Sequence, residues 1–300
     1  VAHYRADHFF AARNEFQHVL RHRPEDPTAL AYVGYAYYRE DRLRQAEEFL
    51  GRAAARSPDD AQLTRWLDRT RAERRVWETY SSLEDDHFTV RFPEADDAPR
   101  ARFVLDLLAD AYVRVGNDLG LYPDGTLIVF AYGGTDFRRI TGTSPWIQGL
   151  YDGKVRLSID EPVDEAELGR LLAHEYSHAL LHRLAPGTPA WLEEGLAQLE
   201  EGRPADGARE FVREAFARGE GIPFEELASP FHSTGDRDRV ELGYAQSFVF
   251  VNDLAGRYGK GTLVRVLARS GEGIPLSEAF GAETGNRLDE LVEHWRRGFE

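Results

Sequence analysis

Leu171-Leu-Ala-His174-Glu175-Tyr-Ser-His178-Ala-Leu-Leu181 is the stretch on which the reading of this chain turns. Its apolar residues recur at helical spacing, and Asp164 with Glu167 three residues later forms a capping-box signature upstream. Pro186-Gly187 marks the stop, so one helix is predicted between them. Residues four apart share a helical face, which lets the imidazoles of His174 and His178 meet one cation. Glu175 is rotated about 100° from His174, off that cation but beside a water approaching it.

The His-Glu-x-x-His arrangement is the zinc motif of metallopeptidases. A catalytic zinc takes three protein ligands and leaves a fourth position open. His182 fails as the third, because eight residues of helix advance about 12 Å while each Zn–N bond is about 2 Å. Leu184 stands where a three-histidine pattern would need its last ligand. The third ligand is therefore expected from the next helix, with Thr188 as cap, Pro189 in its first turn and Gly202 at its end. In Trp191-Leu-Glu193-Glu194-Gly195-Leu-Ala-Gln198-Leu, the apolar stripe runs through Trp191, Leu192, Gly195, Leu196 and Leu199. Glu194 borders small residues, Glu193 lies beside Glu200 on a more polar side, and spacing alone separates the two glutamates poorly.

His174-Glu-Tyr-Ser-His178 followed by Pro189-Ala-Trp-Leu-Glu-Glu194-Gly-Leu-Ala197 resembles the gluzincin pattern, and more narrowly the bacterial peptidase MA-like family, often joined to tetratricopeptide repeats. The likeness runs over roughly residues 87 to 268, with Trp146-Ile-Gln-Gly-Leu-Tyr-Asp-Gly before the zinc helix and Gly243-Tyr-Ala-Gln-Ser-Phe after it. It implies Zn²⁺ held by His174, His178 and Glu194, with Glu175 as catalytic base. It also implies an oxyanion donor from the later helices, with Tyr244 first and His232 second; a core aromatic beside Phe248 is the plain alternative for Tyr244. Gln198 is a candidate for orienting a ligand. The Gly-x-Met-Glu-Asn segment of related aminopeptidases is missing and the chain has no Met, so aminopeptidase action is not implied.

Upstream of the motif, Gly149 to Ile159 reads as a hairpin about Asp152-Gly153, whose first strand could present backbone groups to an extended peptide. Thr126 to Tyr132 and His87 to Phe92 read as strands, and residues 100 to 119 as a helix. The first 60 residues repeat with a period of 34: Tyr4 recurs as Tyr38, Asp7 as Asp41, Ala12 as Ala46, Phe16 as Leu50, Pro24 as Pro58. That period and the small residues Gly34, Ala46 and Ala53 resemble a tetratricopeptide repeat, with an ordinary helical hairpin as the alternative. An Arg-rich amphipathic helix over 60 to 80 would cap it. The predicted architecture is α+β: a TPR-like helical segment over residues 1–80, then a zincin-like catalytic domain over 81–300, a small sheet plus the active-site helix with a helical C-terminal part.

Composition limits the function. Residues 1–80 carry a net charge of +1 and the remainder −16, which disfavours a nucleic-acid partner. The apolar runs are far short of the roughly 20 residues a membrane span needs. Zero Cys excludes disulfides and thiolate ligands, so a metal must be held by His, Asp or Glu. The start at Val1, partway through a repeat, is compatible with an upstream signal peptide, and a bacterial periplasmic or secreted setting is favoured over the cytoplasm. The expected function is hydrolysis of peptide bonds in a peptide or protein substrate, with a protein partner on the repeats; a non-catalytic zinc-binding scaffold is the alternative.

Overall fold

The computed structural model describes residues 9–123, 125–143, 147–159, 164–229 and 236–299. The repeat positions Tyr4 and Asp7, the family-like Trp146 and the alternative donor His232 lie outside them. Contacts divide the chain into two compact units, 1–103 with 127–162, and 104–126 with 163–300.

The first unit opens with α1 (Phe9–His22), α2 (Pro27–Arg39), α3 (Leu43–Arg56) and α4 (Ala61–Thr79), in the places the 34-residue period implies. Asp26 and Asp60 cap α2 and α4, each accepting backbone N–H bonds of the first turn. A five-stranded mixed sheet follows, with β1 (Ser81–Glu84), β2 (Phe88–Phe92), β3 (Leu127–Tyr132), β4 (Gly149–Tyr151) and β5 (Val155–Ser158) in the order β1-β2-β3-β5-β4. β2, β3 and β5 run parallel, and the outer strands are antiparallel. The central place of β3 explains its nearly unbroken apolar sequence, while β2 alternates because one of its faces is less covered. The turn between β4 and β5 differs from the expected two-residue form. Tyr151 pairs with Val155, so Asp152, Gly153 and Lys154 make the connection.

A buried ionic cluster fastens the helices of this unit to β5. Arg156, fully buried, donates to Glu73 Oε2 at 2.9 Å, to the Tyr38 hydroxyl at 3.0 Å, to the Tyr132 hydroxyl at 2.6 Å and to Asp152 Oδ1 at 2.9 Å. Lys154 pairs with Glu73 and Asp41, and Tyr38 donates to Glu73. Beside it, Ala72 and Val76 of α4 pack with Phe130 and Tyr132 of β3 and with Phe137 and Ile140 of α6 (Gly134–Thr141). The helix α5 (Ala98–Leu119) lies between β2 and β3 in the chain.

The second unit takes residues 104–119 of α5, and from Asp164 onward every described element of it is a helix, as the sequence pattern predicts. These helices are α7 (Glu165–Leu184), α8 (Ala190–Glu201), α9 (Asp206–Ala217), α10 (Phe224–Leu227), α11 (Arg237–Tyr258), α12 (Lys260–Gly271), α13 (Leu276–Thr284) and α14 (Leu288–Arg297). Their apolar faces meet in an aromatic core where Phe250 touches Phe224, Trp191 and Trp295 at centroid distances of 4.7, 5.3 and 5.3 Å. The helix-rich chain with one small mixed sheet is α+β, as expected. Among the described residues no helix is long and apolar enough to cross a membrane.

Candidate metal centre

Asp164 starts α7 by accepting the N–H groups of Ala166 and Glu167, at 2.9 and 3.3 Å. Three turns on, His174 and His178 lie on one face, their Nε2 atoms 3.0 Å apart. The antiparallel neighbour α8 brings Glu194 Oε2 to 3.4 Å from His174 Nε2 and 3.5 Å from His178 Nε2. Two ligands bonded at about 2.05 Å to a tetrahedral ion are separated by about 3.3 Å. The triangle of 3.0, 3.4 and 3.5 Å therefore matches the base of such a coordination sphere. His174, His178 and Glu194 form a group able to hold a metal ion, as expected from the sequence. The fit is supported independently by Glu194 Oε2, a buried oxygen with no hydrogen-bond partner. Buried carboxylate oxygens are seldom left so, and a cation at this point would satisfy it.

Glu175 sits on the same helix with 4% of its surface exposed, and its Oε2 also has no hydrogen-bond partner. Burial raises its pKa, against the downward pull of His174 and His178. At Glu194 the balance is opposite: burial pushes its pKa up, but His178 and His174 hold it well below the usual carboxylate range. Burial would lower the histidine pKa values, yet the neighbouring carboxylates of Glu194 and Glu201 raise His174 to about 9, and those of Glu194 and Glu193 raise His178 well above its ordinary value.

Both histidines are oriented through their second nitrogen. His174 Nδ1 lies 2.8 Å from Glu201 Oε1, and His178 Nδ1 lies 3.2 Å from Glu193 Oε1. A carboxylate on Nδ1 fixes the tautomer that leaves Nε2 free to bind metal. Glu193 thus serves the neighbouring histidine and does not simply face solvent. Glu200, placed beside it from the sequence, is instead fully buried and bonded to Lys260 at 2.9 Å. Glu201 was not anticipated, although its position seven residues after Glu194 puts it two turns along the same helix face.

The close fit of α8 against α11 depends on Gly195. A Cβ there would lie 2.7 Å from the Ser247 carbonyl oxygen and 2.5 Å from a Val251 methyl, so only glycine permits this approach. One turn before Ser247 stands Tyr244, partly exposed, its hydroxyl pKa raised by burial and by the charges of Glu194, Glu175 and Glu201. Gln198 donates to the Tyr244 carbonyl at 3.1 Å, so it ties α8 to α11. Thr188 and Pro189 also depart from expectation: the Thr188 hydroxyl bonds back to the Ala185 carbonyl, and Pro189 takes the N-cap position before Ala190, with no side-chain cap. Gly202 ends α8 in the left-handed conformation, as predicted. His182 is not among the residues of the group able to hold a metal ion.

No curated protein matches this chain. Residues 160–299, which carry the whole of this site, match the family described as the Peptidase MA superfamily, and that match supports a metallopeptidase-like domain in this part of the chain.

Proposed function

We propose that this protein is a zinc-dependent metallopeptidase of the gluzincin type, acting on a peptide or protein substrate. The observation that carries the reading is the 3.0–3.5 Å triangle of His174 Nε2, His178 Nε2 and Glu194 Oε2. An all-nitrogen and oxygen donor set of three protein ligands suits a catalytic zinc with one open position. Bound there, zinc supplies Lewis acidity toward a scissile carbonyl and toward the attacking water.

The chain's own residues do the rest. Glu175, buried and with an oxygen that no other protein group engages, accepts the proton of the attacking water and passes it to the leaving amine. Tyr244, held beside the carboxylates by the Gly195 contact, donates its hydroxyl to the developing oxyanion. Residues 1–80 act as tetratricopeptide-like repeats that recruit a protein partner, consistent with their helical pairs at the 34-residue period.

The test is Glu175→Gln. Glutamine keeps size and polarity and removes the proton acceptor. The variant is expected to retain one equivalent of zinc and lose on the order of 10² to 10⁴ in the rate of cleavage of a quenched peptide library. Matched zinc with equal cleavage would place the activity elsewhere; matched zinc with no cleavage by the unmodified protein would favour a zinc-binding scaffold.

A further inference from the structure

His174 and His178 are held by carboxylates in unequal ways. Glu193 bonds to His178 and, among the described residues, pairs with no Arg or Lys. Glu201 divides its oxygens: Oε1 faces His174 Nδ1 at 2.8 Å and Oε2 accepts from Arg203 Nε at 2.9 Å. Arg203 reaches further, pairing through Nη2 with Glu167, whose other oxygen accepts from Arg170 at 2.6 Å. Glu167 lies in the first turn of α7, two helical turns before His174, while Glu201 is the last residue of α8. The left-handed Gly202, at φ 72°, turns the chain so that Arg203 folds back over the residue two before it.

We propose that Arg203 is a positioning residue for the metal centre. It clasps the first turn of α7 to the end of α8 and locks the Glu201 carboxylate in the rotamer that orients His174. The short connection between Leu184 and Ala190 already joins the other ends of the two helices. With the clasp, the segments carrying His174 and Glu194 are fixed on both sides of the ion. Without it, Glu201 keeps a carboxylate near His174 but loses the bond that aims it. Arg203 and Glu167 are about half exposed, at 50% and 44%, so the clasp is open to screening by salt.

The inference rests on the zinc reading above, and the experiment separates the two. Zinc affinity of the full chain is measured by competition with a chromophoric chelator, at low and high ionic strength, alongside thermal unfolding of the metal-free protein. Arg203→Ala is expected to weaken zinc binding about tenfold, at the lower end of what loss of an outer-shell partner costs. Arg203→Lys, able to reach one carboxylate but not to bridge two, should recover only part of this. Raising salt should weaken zinc binding by the unmodified protein more than by Arg203→Ala. Arg218→Ala removes a comparably exposed pair with Glu220 on the far end of α9 and should leave zinc affinity unchanged. Equal zinc affinity in Arg203→Ala and the unmodified protein would overturn the clasp while leaving the zinc site standing. Failure of the unmodified protein to bind zinc would overturn both. An equal loss in Arg218→Ala would show that any surface charge change moves the affinity, which also sinks the proposal.

Discussion

At the scale of single residues, two neighbouring glutamates show how little a side chain's type says about its task. Glu194 offers a partnerless buried oxygen to the two Nε2 atoms, whereas Glu193 reaches past to the Nδ1 of His178. Glu194→Ala should therefore lower zinc affinity far more than Glu193→Ala, which should cost about 10- to 100-fold as loss of an outer-shell partner does. Metal analysis after graded chelation orders the two, and the reverse order would exchange their roles. Tyr244→Phe should cut peptide turnover by about a hundredfold, the usual effect of deleting one oxyanion donor, with zinc retained. Unchanged turnover would return Tyr244 to the core. The shared face of His174 and His178 was legible in the sequence because their spacing along one helix is itself the geometry. Glu193 and Glu201 were not, because their roles follow from how α8 lies across α7, which no local pattern states.

At the scale of elements, the helices with strong punctuation were the readable ones. α7 shows Asp164 at its start, α8 shows Gly202 at its end, and both stand where the sequence puts them. Polar Ser81–Glu84 hid β1, an edge strand exposed along most of its length. α6 begins at Gly133-Gly134 with no side-chain cap and gave no signal. The sequence also gave no hint of the Arg156–Glu73–Lys154 cluster, because α4 and β5 are far apart in the chain and their charged residues look like surface. That cluster has a direct consequence for stability. Burial pushes the Glu73 carboxyl up, but Arg156 and Lys154 outweigh it and lower its pKa to about 2. Its contribution is thus complete above the ordinary value of 4.5 and is lost as pH falls toward about 2. Glu73→Gln leaves two buried cations short of their partner and should cost about 3–5 kcal/mol near neutral pH, measured by urea unfolding, with the difference shrinking in acid. A cost below about 1 kcal/mol would show that the cations are satisfied without it. A cut after residue 80 would remove Glu73 together with Tyr38 and Asp41 and so take these partners from Lys154 and Arg156.

At the scale of the whole molecule, the charge is divided between a near-neutral stretch over residues 1–80 and an acidic remainder that carries the candidate metal centre. The proposed chemistry is confined to α7, α8 and α11 of the second unit, the part matched by the Peptidase MA superfamily. Everything in the mechanism depends on one ion being held at one place. Anomalous diffraction at the zinc edge, from crystals grown with one equivalent of zinc, tests this most directly. A single strong peak about 2 Å from His174 Nε2, His178 Nε2 and the Glu194 carboxylate is the predicted result. A peak elsewhere, or none with these three side chains well ordered, would contradict it.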